Sequence, residues 1–171
     1  MPTRRRALRA GAGAGAGLLV AALAGCGFEL RRAPQLQFQT IQLVGFKAQS
    51  PLEVELRTSL NASTTTSVVD HRAQAQVVFE SVNEKREKVV VSSNSIGQVT
   101  EFQLRERFSF RLRSVQGREL IPLTELLLTR ELTYTESAAL GKEQEEAFLY
   151  RTMQSDVVSQ VMRRLASIQT F

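Results

Sequence analysis

The residues of this sequence that could do chemistry are few. Cys26 is the only cysteine among 171 residues, and His71 is the only histidine. One cysteine excludes a disulfide within the chain, and one imidazole excludes a histidine-rich metal site. His71 stands between Asp70 and Arg72 in a polar stretch, which favours a solvated loop over a catalytic triad. The sequence therefore predicts no catalytic residues and no metal ligands.

The segment before Cys26 is typical of an export signal. A basic stretch, a Gly/Ala-rich run over residues 10–17 and an apolar run over residues 18–24 follow one another. The apolar run is well short of the ~20 residues that cross a bilayer as a helix, so residues 1–25 are predicted to be a signal peptide. Residues 3–9 also resemble a twin-arginine export motif, and an ordinary basic start of a signal peptide is the alternative.

The signal ends in Leu23-Ala24-Gly25-Cys26, which resembles the lipobox of bacterial lipoproteins. In that motif small residues admit the backbone to a protease site, and the thiol takes a diacylglyceryl group. We predict that the mature chain begins at Cys26 with covalent diacylglycerol and an N-acyl chain, whose methylenes contribute roughly 0.8 kcal/mol each to anchoring. Gly27 stands where lipoproteins retained in the inner membrane typically have Asp, which favours the outer membrane. An uncleaved signal anchor with a chance cysteine is the alternative.

The net charge of +5 resides mainly in the signal peptide. Its four arginines belong to the 22 basic residues of the chain, and 18 basic residues against 17 acidic ones remain without them. A protein that binds nucleic acid needs a basic surface. We therefore expect no nucleic-acid partner.

Residues 26–35 are predicted to be a lipidated tether, and residues 36–171 a single α+β domain. Alternating or four-residue apolar spacing predicts strands over 36–44, 73–81, 102–112 and 120–134 and helices over 51–60 and 142–168. Right-handed crossover through the first helix makes the first two strands parallel, and hairpins make the others antiparallel. The order strand, helix, three strands, helix predicts a four-stranded mixed sheet with both helices on its apolar face.

Local signals refine these elements. Ser50, Pro51 and Glu53 form the pattern of a helix start, with Ser50 as N-cap and Glu53 closing a capping box. Glu106 interrupts the apolar side of the third strand, so we expect it near an edge of the core and beside a partner. Pro122 cannot donate to a ladder, which predicts a bulge or an edge there.

The polar side of the third strand is basic, with Arg105, Arg107, Arg111 and Arg113 at alternate positions. Guanidinium groups pair with phosphate in a bidentate manner, so this row could bind an anionic lipid. A charged solvent face, balanced by acids on neighbouring strands, is the alternative.

Four parts of the chain together resemble the LptE family. They are Cys26-Gly27-Phe28-Glu29-Leu30-Arg31, residues 93–102 with Gly97-Gln98 and Glu101-Phe102, Tyr134-Thr135-Glu136-Ser137, and residues 140–146 leading to Met153 and Arg164-Leu165. The resemblance spans the mature chain. It implies an outer-membrane lipoprotein without enzymatic activity or cofactor, which plugs and helps to assemble the LptD β-barrel and contacts lipopolysaccharide in transport.

The resemblance also implies two basic contacts to lipopolysaccharide. The first, just before the final helix, corresponds to Lys142. The second falls near Ser95, which is not basic, and Arg105 or Arg107 can compensate only if that face of the sheet points the right way. Two other functions remain open: a periplasm-facing scaffold or binding lipoprotein with a different partner, and a lipid-anchored hydrolase built on distant carboxylates.

Overall fold

The computed structural model describes residues 35–169 of the chain. Five strands and two helices follow one another: β1 (Thr40–Val44), α1 (Pro51–Asn61), β2 (Ser67–Val69), β3 (Val77–Ser93), β4 (Val99–Ser114), β5 (Glu119–Thr133) and α2 (Ala139–Ala166). The strands form one mixed sheet in the order β2-β1-β3-β4-β5. The predicted α+β class with a mixed sheet and two helices is therefore confirmed.

The prediction of four strands was wrong, because β2 adds a fifth. This strand has three residues and pairs in parallel with β1 at one edge of the sheet. Its residues, Ser67-Val68-Val69, follow the polar run after the first helix, and three residues are too few to show alternation. The buried Thr66 hydroxyl donates to the Phe38 carbonyl at 2.6 Å, which holds the polar run beside the chain that leads into β1.

The other strand pairings follow the predicted directions. β1 and β3 are parallel across the crossover through α1, whereas β3, β4 and β5 form an antiparallel meander. β3 is much longer than predicted and continues past a register shift between Ser81 and Asn83. A second shift separates the pairs Phe110–Thr124 and Leu112–Ile121 and so includes Pro122, as predicted for a residue without an N–H.

The core lies between one face of the sheet and both helices. The sheet contributes Val77, Phe79, Leu104, Phe108, Phe110, Leu112, Leu126, Leu128 and Leu132, and the helices contribute Leu52, Leu56, Leu60, Met153, Val157, Val161 and Leu165. Stacked aromatic rings connect the strands, with centroids 5.1 Å apart for Phe79 and Phe110. Full burial of each such side chain contributes roughly 1.5–3 kcal/mol. The apolar stripes that predicted the helices are thus their packing faces.

The start of α1 matches the predicted N-cap only in part. The Ser50 hydroxyl accepts a hydrogen bond from the Glu53 N–H at 3.2 Å, and Pro51 occupies the first turn. The reciprocal half of a capping box does not form, because the Ser50 N–H donates to the Lys47 carbonyl instead. The Glu53 carboxylate pairs with Arg57 one turn further along.

Glu106 lies inside the core, and the expectation that it would sit near an edge was wrong. Its side chain is 1% exposed and points toward the helices from the middle of β4. The expected partner is present: Arg86 donates to Glu106 Oε1 from Nε and Nη2 at 3.4 and 3.3 Å. Burial raises the pKa of the Glu106 carboxyl, and the Arg86 charge opposes that effect.

Candidate functional site

Lys142 lies in the first turns of α2, close to the end of β5. Its ammonium donates to the Thr133 hydroxyl at 3.1 Å and to the Glu145 carboxylate at 2.7 Å. The side chain is 20% exposed, so the charge is held in place and still meets solvent. An exposed ion pair of this kind is worth about 0–1 kcal/mol, and an incoming anion can displace the carboxylate at low cost.

A cleft of about 800 Å³ lies beside this end of β5, where the β3–β4 hairpin approaches the chain between β5 and α2. We call it the hairpin cleft. It is lined by Lys88, Asn94, Gly97, Gln98, Val99, Thr100, Phe102, Tyr134, Thr135, Glu136 and Ser137. The Gln98 amide donates to the Glu136 carboxylate at 3.4 Å and links the two walls. The cleft thus offers an aromatic floor, hydrogen-bonding groups and one ammonium.

Lys88 supplies that ammonium. Its Nζ lies 4.2 Å from the centre of the Phe102 ring, and it donates to the Glu146 carboxylate of α2 at 2.6 Å. Phe102 in turn meets Tyr134 edge to face, with centroids 5.3 Å apart. An ammonium over an aromatic face contributes about 0.5–1 kcal/mol at an exposed site, which orients Lys88 toward the cleft.

Lys88 was not among the residues predicted from the sequence. The apolar alternation that predicts the second strand stops at residue 81, whereas β3 continues to Ser93 with Glu84, Arg86 and Lys88 on the helix side. A signal was available, because these three charges recur with period two. Charged residues do not indicate a core face, and the groups that meet these three, such as Ser50, Gln154 and Glu146, are far away in sequence.

Arg105 and Arg107 lie on the open face of the sheet, which we define as the face opposite the helices. They alternate with the buried Glu106, so their side chains point away from the helix layer that carries Lys142. Arg105 donates to Gln103 at 2.7 Å, and Arg107 pairs with Glu125 of β5. The structure therefore does not bring either arginine together with Lys142.

Arg111 on the same face forms a bidentate ion pair with Glu80 of β3. Its Nε and Nη2 donate to the two Glu80 oxygens at 2.6 and 2.7 Å. These hydrogen bonds hold the pKa of the Glu80 carboxyl below its usual range. Acids on β3 and β5 thus balance part of the arginine row.

The structure assembles no cluster of metal ligands within residues 35–169. Groups of three or more His, Cys, Asp or Glu side chains arranged to hold a metal ion are absent there. His71 is exposed at the start of a short 3-10 turn over Arg72–Gln74. In the same part of the chain, no helix is both long and apolar enough to cross a membrane. Cys26 and the signal peptide lie outside the described residues, so their predicted modification and cleavage stay predictions.

These features define a small α+β domain, with a cleft between the β3–β4 hairpin and the chain that follows β5. The model of the LptE family, described as lipopolysaccharide assembly, matches residues 38–165. The protein therefore belongs to the LptE family, as the sequence resemblance indicated. Members are non-enzymatic lipopolysaccharide-assembly lipoproteins with no known cofactor, which confirms the prediction that this chain is not an enzyme.

Individual relatives agree with this assignment. The LPS-assembly lipoprotein LptE of Pectobacterium atrosepticum is 27% identical over 154 residues, which cover 89% of this chain and 83% of that protein. The solved structure of lipoprotein B from Nitrosomonas europaea has 31% identity and a TM-score of 0.72, over 82% of this chain and 91% of that one.

A more distant structure supports the fold alone. The rare lipoprotein B of Shewanella oneidensis has 18% identity and a TM-score of 0.65, over 75% of this chain and 95% of that one. The shared architecture at this low identity indicates that the sheet with two helices tolerates wide sequence change.

Proposed function

We propose that this protein is an outer-membrane lipoprotein of the lipopolysaccharide transport machinery, anchored through acyl chains on Cys26. In this role it plugs and helps to assemble an LptD-type β-barrel and contacts lipopolysaccharide. Membership of the LptE family over residues 38–165 is the observation that carries the proposal. The lipobox at Leu23-Ala24-Gly25-Cys26 and the Gly27 that follows it support the anchor and its membrane.

For the contact with lipopolysaccharide, we propose Lys142 and Lys88. Both ammoniums lie at the hairpin end of the helix layer, and each is paired with one α2 carboxylate, Glu145 or Glu146. A phosphorylated lipid brings several negative charges and can displace these single surface carboxylates. Lys88 thereby takes the place of the second basic contact, for which Ser95 is unsuited.

A detergent extraction from the native outer membrane tests the barrel partner. The tagged, full-length protein should recover an LptD-type barrel in stoichiometric amount, identified by mass spectrometry. Cys26→Ser is the matched variant for the anchor, and it should leave the outer-membrane fraction. A clean preparation without a barrel would contradict the plug and favour a periplasm-facing scaffold or binding lipoprotein with a different partner.

Charge changes test the lipid contact separately. Lys142→Glu and Lys88→Gln should each weaken binding of purified lipopolysaccharide several-fold, and the double variant more, because each removes one phosphate partner. Arg105→Glu and Arg107→Glu are the corresponding changes on the open face, where a second contact remains a proposal. If only the open-face variants lose binding of lipopolysaccharide, the contact lies on the open face. Unchanged binding in all four variants would exclude both surfaces.

A further inference from the structure

A hydrogen-bonded chain of polar side chains crosses the core between the sheet and both helices. Arg86 of β3 donates to Glu106 of β4 and, at 2.8 Å, to the side-chain oxygen of Gln154 on α2. The Gln154 amide donates onward to Glu55 of α1 at 2.6 Å and to the Pro51 carbonyl at 3.3 Å. Four elements are thus connected, β4 through Arg86 and the other three through the Gln154 amide, a side chain that is 8% exposed.

Glu106 is the unusual member of this chain. Its Oε2 is buried and has no hydrogen-bond partner among residues 35–169. Its Oε1 accepts only the long bonds from Arg86, whereas the ionised pair Arg111–Glu80 in the same sheet uses both oxygens at 2.6 and 2.7 Å. Short, bidentate contacts are expected for an ionised carboxylate beside a guanidinium. The geometry at Glu106 instead fits a neutral carboxyl group that accepts through its carbonyl oxygen.

The charges around Glu106 favour the neutral form as well. β3 presents Arg86 and Glu84, and the Glu84 carboxylate accepts from the Ser50 hydroxyl at 2.9 Å. α1 presents Glu55, α2 presents Tyr150, whose ring lies 5.2 Å from the Arg86 guanidinium, and β5 presents the apolar Leu128 directly opposite. Glu84 and Glu55 thus add negative charge near Glu106, which contacts one cation, Arg86, and burial makes the Glu106 carboxyl costly to ionise.

We propose that Glu106, Arg86, Gln154 and Glu55 form a proton-linked latch that holds α2 on the sheet while Glu106 is protonated and weakens when Glu106 ionises. Ionisation leaves a buried, charged oxygen without a partner, and local opening of α2 around Gln154 admits water to it. The device concerns the folding of the domain and does not depend on the proposed transport function.

The direction of the pH effect follows from linkage. Burial raises the pKa of Glu106 in the folded protein above its value in the unfolded chain. The contribution of the latch to stability is therefore fully present below the ordinary glutamate range near pH 4.3. It is lost as the pH rises through the pKa of Glu106 in the folded protein. Glu106→Gln keeps an oxygen for Arg86, supplies no ionisable group and should hold the latch closed at every pH.

Hydrogen exchange on the full-length protein in detergent tests the latch. Wild type and Glu106→Gln are compared at the same pH, so that the intrinsic pH dependence of exchange cancels. Near pH 4, below the ordinary glutamate range, we expect equal protection of the α2 amides around Gln154, and near pH 8, far above that range, several-fold faster exchange in wild type. Glu131→Gln, at an exposed position of β5, should behave as wild type. If the exchange rate of the α2 amides in wild type, divided by that in Glu106→Gln, is the same at both pH values, the proposal is overturned.

A direct titration keeps the proposal testable if Glu106→Gln does not fold. Carbon-13 NMR of wild type labelled at the glutamate carboxyl groups should show one resonance that stays protonated after the others have ionised. Ordinary titration of every glutamate carboxyl would overturn the latch.

Discussion

Gly45 lies where an added Cβ atom would collide with the backbone of a neighbouring strand. Its φ is +80°, and an added Cβ would lie 2.2 Å from the Ser81 carbonyl oxygen, beside the register shift in β3. We expect Gly45→Ala to lower the free energy of unfolding by roughly 3 kcal/mol, through both strain and collision. Gly97→Ala is the matched control, because Gly97 has φ +82° but open space around it, and it should cost about 1 kcal/mol. Urea unfolding measures both, and equal losses would contradict the close approach at Gly45.

Glu80 and Arg111 give the open face an acid-sensitive ion pair. Their hydrogen bonds lower the pKa of Glu80 in the folded protein, so this contribution is present above the ordinary glutamate range near pH 4.3 and is lost as pH falls through the folded value. We expect the midpoint of thermal unfolding of the wild-type protein to fall on acidification. The midpoint of Glu80→Gln should fall less steeply, because this variant lacks the titrating carboxyl. Circular dichroism between about pH 3 and 6 checks this. The exposed Glu143→Gln should keep the wild-type slope, and an unchanged slope for Glu80→Gln would exclude the pair as a source of acid sensitivity.

At the scale of the element, the start of α1 depends on one hydroxyl. Ser50 is 3% exposed, caps the helix through the Glu53 N–H and donates to the Glu84 carboxylate. Ser50→Ala removes both bonds and should lower the free energy of unfolding by about 1–2 kcal/mol. Ser95→Ala at the exposed turn of the β3–β4 hairpin should stay within about 0.5 kcal/mol of wild type in the same urea titration. A cost for Ser50→Ala no larger than this control would show that water replaces the cap.

Element-scale patterns in the sequence were reliable where the pattern was local. The four-residue stripe through Met153, Val157 and Val161 predicted α2, and all three side chains are buried. The continuation of β3 was missed because its helix-side positions carry charges. Those charges are tolerated because polar groups meet them: Gln154 of α2 meets Arg86, and Glu146 of α2 meets Lys88.

At the scale of the molecule, one core joins the sheet to both helices, and a single cooperative transition should follow. The two tyrosines report on different regions, since Tyr134 packs on Phe102 at the hairpin end and the Tyr150 hydroxyl donates to the Glu87 carbonyl from α2. We expect the near-ultraviolet tyrosine signal and the far-ultraviolet backbone signal to change at the same urea concentration. An earlier loss of the tyrosine signal would show that side-chain packing around Tyr134 or Tyr150 is lost before the secondary structure, and would contradict a single transition.

The sequence by itself determined the features that local patterns encode. The start of α1 at Ser50, the apolar faces of both helices and the alternation of β4 each depend on residues within a few positions of one another, as does the lipobox that the sequence predicts at Cys26. Such signals are short-range because caps, turns and amphipathic faces are short-range structures. Together they predicted the α+β class, and the resemblance they accompany indicated the family.

The tertiary structure alone decided what depends on pairing between distant segments. It placed Arg105 and Arg107 on the face opposite Lys142, brought Lys88 to the hairpin cleft and buried Glu106 beside Arg86. Each outcome follows from strand register and from which helix covers which strand, and a shift of one residue would turn every side chain of a strand to the other face. The pattern within one strand indicates which side chains share a face, but it does not specify which residues of distant segments lie beside them. The basic contacts could therefore be listed from the sequence, but their neighbours are known only from the fold.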